Sequence, residues 1–158
     1  MGDGTQLVVF RVDGERYALP LEVVERVVRA VAVTPLPNAP AIVLGAINVH
    51  GRVLPVLNLR RRFLLTEREI GPADWFLLAR TARQTVVLVV DESDGVLELP
   101  TAGIVPSTEV TPGLDQFPGV VRLDDGLVLI HDLETFLSLD EARALHDAMN
   151  ETSGGGEP

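Results

Sequence analysis

Three histidines, at positions 50, 131 and 146, are the first residues in this chain suited to acid–base or metal chemistry. A metal site needs several ligands converging, usually at short spacings. These three fall in separate stretches without a second histidine at ligand spacing, so structural roles are expected and no metal. His131-Asp132 has the composition of a ligand pair, but Asp132 is better placed as the cap of a short helix. The stretch 91–95 (DESDG) is rich in oxygen donors. A calcium loop needs a spaced acidic series closed by a bidentate glutamate, and Glu98 comes too early for that, so a plain turn is expected. Ser107 and Ser138 lack the G-x-S-x-G setting that exposes a nucleophile. Neither a phosphate loop nor a dinucleotide fingerprint is present. Arg60, Arg61 and Arg62 could hold an anion, yet such runs are more often solvated, with one member paired to a carboxylate. No catalytic residue and no cofactor is expected, and an enzyme is the weaker class.

The elements that carry these residues centre on positions 45–63 (GAINVHGRVLPVLNLRRRF). The apolar runs 46–49 and 53–57 are hinged on His50-Gly51, and glycine at the second turn position permits the positive φ of a two-residue hairpin. Pro55 lies inside the second run and cannot donate to a ladder, which predicts an edge strand or a bulge. Asn58 stands at a helix N-cap, before Leu59 and the three arginines. Positions 119–137 (GVVRLDDGLVLIHDLETFL) repeat this order. Gly45 answers to Gly119, Gly51 to Gly126, Asn58 to Asp132, Leu59 to Leu133 and Phe63 to Phe136, with one-residue gaps. Thr34-Pro35 and Thr111-Pro112 precede the two copies. A period near half the chain implies two similar lobes rather than a solenoid.

Composition agrees with a β protein. The chain has 158 residues, is 46% hydrophobic and only 4% aromatic, so its core rests on Val, Leu and Ile, which favour strands. There is no cysteine, so disulfides and thiolate metal sites are excluded. The start carries neither a basic segment nor an apolar one, and no leader is expected. The longest aliphatic run, 86–90, is far short of the ~18 residues of a spanning helix, so no direct membrane insertion is expected. Net charge is −10, and all 13 basic residues are arginine. The acids concentrate after residue 70, which disfavours nucleic acid and anionic membrane as partners. The asymmetry suits a partner of opposite polarity or head-to-tail contacts, and an ordinary solubilising surface explains it equally well.

Along the rest of the chain, 6–12 and 16–19 read as a hairpin turned at Asp13-Gly14. Residues 21–26 (LEVVER) read as about a turn of helix with Val23 and Val27 facing one way, and 27–33 as a strand. Residues 34–40 (TPLPNAP) form a rigid connector, and 66–74 a polar gap between lobes. Strands are expected at 75–79, 85–90, 96–99, 120–123 and 127–130, the last two turned at Asp125-Gly126. Residues 100–117 read as a long loop. Ser138 and Glu141 match a capping box, opening a helix over 138–149 with Leu139, Ala142, Leu145 and Met149 on one face. Residues 150–158 read as a flexible tail. About ten short strands with few helices fit small barrels or a sandwich.

The sequence resembles the CheW family, coupling proteins of bacterial chemotaxis. The match is carried by LVVFRVDGERYALPLEVVERV, TPLPNAP and GAINVHGRVLPVLNLRRRF, and less closely by TVVLVVDESDGVLELP and GVVRLDDGLVLIHDLETFL. It implies a CheW-like domain over 6–139 that is mainly β. Two intertwined five-stranded SH3-like β-barrel subdomains, roughly 6–65 and 74–137 with some strand exchange, would carry short helices and a C-terminal helix. It further implies a cytoplasmic, non-enzymatic adaptor recruited to membrane receptor arrays. Its partners would be the regulatory domain of a CheA-type histidine kinase and the cytoplasmic coiled-coil tip of a chemoreceptor. By position, Val24 and Val27 match apolar residues facing the receptor, Gly45, Asn48, Gly51 and Arg52 the motif around the groove, and Pro55 and Arg60 the rest of it. His50 departs from the family, which usually has arginine there, a residue associated with receptor contact. Histidine keeps a donor but loses the permanent charge and the fork. A CheW-like scaffold of a non-chemotaxis two-component pathway and a small ligand-binding β-barrel are the alternatives.

Overall fold

Aliphatic runs punctuated by glycine turns become strands, and the strands sort into two sheets. The computed structural model describes residues 4–106 and 119–155. In chain order the strands are β1 (Gly4–Val12), β2 (Glu15–Pro20), β3 (Val24–Arg29), β4 (Val43–Val49), β5 (Arg52–Leu57), β6 (Trp75–Arg80), β7 (Thr85–Val90), β8 (Glu92–Pro100), β9 (Ile104–Pro106), β10 (Gly119–Leu123) and β11 (Gly126–Ile130). Among the described residues, helix is confined to α1 (Leu59–Arg62), α2 (Leu139–Gly155) and 3-10 turns at Leu21–Val23, Thr101–Gly103 and Leu133–Thr135.

The first sheet runs β8-β1-β2-β11-β10-β9 and the second β3-β6-β7-β5-β4. Each contains one parallel junction, β2 with β11 and β5 with β7, in otherwise antiparallel pairing. Superimposed in order, β8-β1-β2-β11-β10 repeats β3-β6-β7-β5-β4, so hairpin β10–β11 stands where β4–β5 stands. The bridge from Thr34 to Ala46 occupies the place of β9 beside β10. The repeat read in the sequence is thus a repeat of topology.

The two-lobed β architecture stands, and details of it differ from the sequence reading. The first sheet draws on 4–20 with 92–106 and 119–130, and the second on 24–90. The first sheet has six strands instead of five, because β9 adds to its end. Among the described residues no ladder joins the end strands of either sheet, so barrel closure is not reached. The sheets carry bulges where the register slips, at Glu25 in β3, at Leu44 in β4 and at Asp94 in β8. A bulge adds local twist and bends its strand. DESDG is therefore not a turn: β8 begins at Glu92, and Asp94 is the extra residue, beside Gly95 at φ +84°. LEVVER yields a three-residue 3-10 turn and then β3, which stops at Arg29. Pro55 is neither at an edge nor at a bulge in its own strand. It pairs with Ala46 in β4, and the parallel ladder to β7 begins only at Val56. The missing amide is tolerated because the second neighbour starts one residue later.

The second-lobe turn falls at 124–125, with Gly126 opening β11. Residues 104–106 of the expected long loop are strand, while 107–118, with Ser107 and Thr111-Pro112, lie outside the described residues. Helix α2 continues through Gly155, past the expected end at Met149 and into the expected tail; residues 156–158 lie outside the described residues. Its buried side chains include Leu145 and Ala148, whereas Leu139 is 76% exposed.

Three apolar clusters hold the layers. Leu7, Val9, Ala18, Val121, Val128 and Ile130 fill one face of the first sheet. Ile47, Leu54, Val56, Phe76, Leu78 and Val87 fill the matching face of the second. Between them lies a cluster including Phe10, Tyr17, Leu19, Leu57, Phe63, Leu77, Leu88 and Phe136. Alternating residues of each strand serve the two faces, as period-two patterning requires. Burial pushes the Tyr17 hydroxyl up to about 12, helped by Glu15 and Asp13.

Candidate functional site

The β4–β5 turn is fixed by its own residues. His50 and Gly51 sit at φ +51° and +85°, the left-handed pair of a type I′ turn. The Asn48 Oδ1 accepts from the Gly51 amide at 2.9 Å and holds that geometry. Gly45 is required by space: a Cβ there would lie 2.3 Å from the Thr34 carbonyl oxygen and 2.6 Å from Val33 Cγ1. Thr34 bonds reciprocally with Ala46 at 3.0 and 2.8 Å, which draws the 30–35 segment against β4.

Beside this turn lies a charged corner. The Glu25 bulge leaves its side chain free to reach across the sheet. Arg52 Nη1 donates to Glu25 Oε1 at 3.1 Å and Nη2 to Oε2 at 3.3 Å, a forked pair. Arg52 Nη2 also donates to Thr85 Oγ1 at 2.8 Å, and Thr85 donates to Glu25. Three strands, β3, β5 and β7, therefore meet through three side chains. The Arg52 guanidinium and the Thr85 hydroxyl hold the Glu25 carboxyl below the usual carboxylate range. Half of the Arg52 side chain remains exposed. Such a corner makes no bond; it presents a fixed pair of charges that an incoming partner can extend or exchange.

The residues expected at the site separate into groups. Asn48, His50, Gly51 and Arg52 are exposed together at the turn. Val24 and Val27 are partly buried against the central cluster and flank Glu25 and Arg26 in β3. Gly45 and Pro55 are buried and serve packing.

Arg60 belongs elsewhere. Its side chain is only 12% exposed and donates to both Asp91 oxygens at 2.9 and 2.8 Å. Arg68 joins Asp91 at 2.9 Å and Asp74 at 2.7 and 2.8 Å. None of the three arginines of α1 is left merely solvated, because Arg61 pairs with Glu67 and Arg62 with Glu141. Glu25 and Thr85 were not singled out from the sequence, and Asp91 was read only as part of the DESDG stretch. Glu25 was masked by reading LEVVER as helix, where an acid is ordinary surface; Thr85 and Asp91 find their partners only through long-range pairing.

This two-sheet arrangement with a presented hairpin corner defines a β scaffold of two similar lobes. The sequence model described as the CheW-like domain matches residues 6–141, and the chain belongs to that family. A probable chemotaxis protein CheW of Rhizobium etli is 27% identical over 141 residues, covering 88% of this chain and 91% of the relative. FrzA of Myxococcus xanthus is 37% identical over 97 residues, 61% of either chain. The crystal structure of the scaffolding protein TtCheW from Thermoanaerobacter tengcongensis matches with a TM-score of 0.78 at 27% identity, over 87% of this chain and 94% of that one. The mainly β, two-subdomain reading is borne out, as is the place in a chemotaxis-type scaffold family.

Proposed function

We propose that this chain is a non-enzymatic adaptor that holds a CheA-type histidine kinase, through its regulatory domain, beside the cytoplasmic coiled-coil tip of a chemoreceptor. It works in the cytoplasm and reaches receptor arrays through protein contacts. The observation that carries this is the Glu25–Arg52 pair, exposed beside the His50-Gly51 turn within the family motif and held from beneath by the buried Thr85. Arg52 supplies there a permanent, forked charge two residues from the position where His50 replaces the family's arginine. A shallow groove of about 610 Å3 between 30–33, Leu44 and 68–72, with Val31 55% exposed, supplies a separate apolar face for the kinase.

Calorimetric titration against a receptor tip fragment and against a kinase regulatory domain tests both contacts. Arg52→Ala and Glu25→Ala are expected to weaken tip binding by about tenfold and to leave kinase binding unchanged. If the unaltered chain binds neither protein, or if both variants bind the tip as tightly as it does, the reading fails. His50 favours a second reading, a scaffold for a receptor class outside chemotaxis. Tip binding that strengthens on His50→Arg supports it, because the lost arginine contact is then restored.

A further inference from the structure

Helix α2 turns one stripe of side chains toward the β6–β7 turn. Leu139, Arg143 and His146 recur at i, i+4 and i+7, which places them one above another on a single face. With Arg83 of the turn they line a cleft of about 340 Å3. A trough of about 420 Å3 adjoins it and shares Arg83, Leu139 and His146 with it. Leu57, Val86, Leu133 and Phe136 line the trough and are themselves buried, so its floor is hydrocarbon. Leu139, where the two spaces meet, is 76% exposed.

The polar groups of the cleft are donors. The chain carries −10, and seven of its 13 arginines form ion pairs. Arg83 and Arg143 are exposed and form none among the described residues. Asn150 Nδ2 donates to His146 Nε2 at 3.0 Å, so the His146 proton sits on Nδ1 and is itself available to donate. No carboxylate lines the cleft. Asp140 and Asp147 each stand one residue further along α2 from the stripe, about 100° round the axis. Glu134, the acid that lines the trough, already accepts from the Ala82 amide at 2.8 Å, and Glu141 is held by Arg62.

We infer that cleft and trough together bind a small amphiphilic anion, an aliphatic carboxylate of about ten carbons, its chain along the floor and its head between Arg83 and Arg143. Small-molecule sites are mostly apolar, with a few polar groups that fix the orientation of the ligand. A guanidinium and a carboxylate make the charge-assisted, forked bond that both arginines lack. A neutral chain would leave the two cations without a counter-charge, and a bare anion would leave the floor and Leu139 wet. The inference does not rest on the adaptor reading, since neither kinase nor receptor enters the test.

The probe is decanoate, kept below the concentration at which it forms micelles. It is titrated into the full chain and followed by calorimetry and by amide NMR. Saturable binding is expected, with shifts centred on 81–86 and 133–149. Decanol has the same chain without the charge, and acetate the same head without the chain. Each should bind at least about tenfold more weakly than decanoate. The double change Arg83→Ala with Arg143→Ala should weaken decanoate binding by at least about tenfold. Arg122→Ala, which removes an exposed arginine of the first sheet, should leave it unchanged. Four results overturn the proposal: no saturable binding of decanoate, shifts centred elsewhere, either comparator matching decanoate, or binding that survives the double change.

Discussion

His131 is buried between aromatic rings, with the Phe63 and Phe136 centroids at 5.3 and 5.5 Å. Burial pushes its imidazole down to about 4; Asp132 opposes the shift and Arg62 adds to it. An unfolded chain would bind the same proton near pH ~6.5. The folded value is the lower one, so the stabilisation is fully present above the unfolded value and is lost as pH falls from there toward about 4. The loss should approach ~3 kcal/mol across that window. Urea midpoints at steps between pH ~7 and ~4.5 should fall in the unaltered chain and fall less in His131→Phe. Equal slopes would mean that His131 is not the group being charged. The sequence placed this histidine in a structural role because no ligand partner stood near it. It gave no sign of Glu25, whose reach depends on a one-residue bulge that no local pattern announces.

At the scale of elements, local chemistry was the legible part. Asn58 caps α1 as its position suggested: Oδ1 accepts from the Arg61 amide at 3.1 Å, and Nδ2 donates to Glu67 at 2.9 Å. The capping box is complete, with Ser138 Oγ accepting from the Glu141 amide at 3.1 Å and Glu141 accepting from the Ser138 amide at 2.9 Å. Asn58→Ala removes both bonds of a buried amide and should cost about 1–2 kcal/mol, read from the shift in denaturant midpoint. Asn58→Ser keeps an acceptor for the cap and should recover part of that. A loss equal to that of alanine would assign the effect to the Glu67 contact alone. Strand ends and bulges were less legible, since β-branched residues at 24–28 fit a strand or a helix face until β6 supplies the partner.

Across the molecule, Asp91 ties the sheets where the chain passes from β7 to β8. Its amide donates to the Arg11 carbonyl, and its carboxylate accepts from the Asp13 amide, both at 2.8 Å, while Arg60 and Arg68 grip the same oxygens. Turn β1–β2 of the first sheet and the α1 end of the second therefore share one anchor. A double-mutant cycle of Asp91→Ala with Arg60→Ala should give a coupling of about 1–2 kcal/mol in urea unfolding. Additive losses would deny the anchor that role. Two lobes and their repeat were legible from glycine, cap and phenylalanine order; the membership of each sheet was not, because strand exchange is decided by contacts across most of the chain. That exchange has a consequence during synthesis. All five strands of one sheet lie within 24–90, so that half can assemble once this length has left the ribosome. The β1–β2 hairpin emerges before that sheet, yet its parallel neighbour is β11, which follows the whole of it. It must wait, edge uncovered, until β11 has been made, and the nascent chain is most open to aggregation or chaperone capture in that interval.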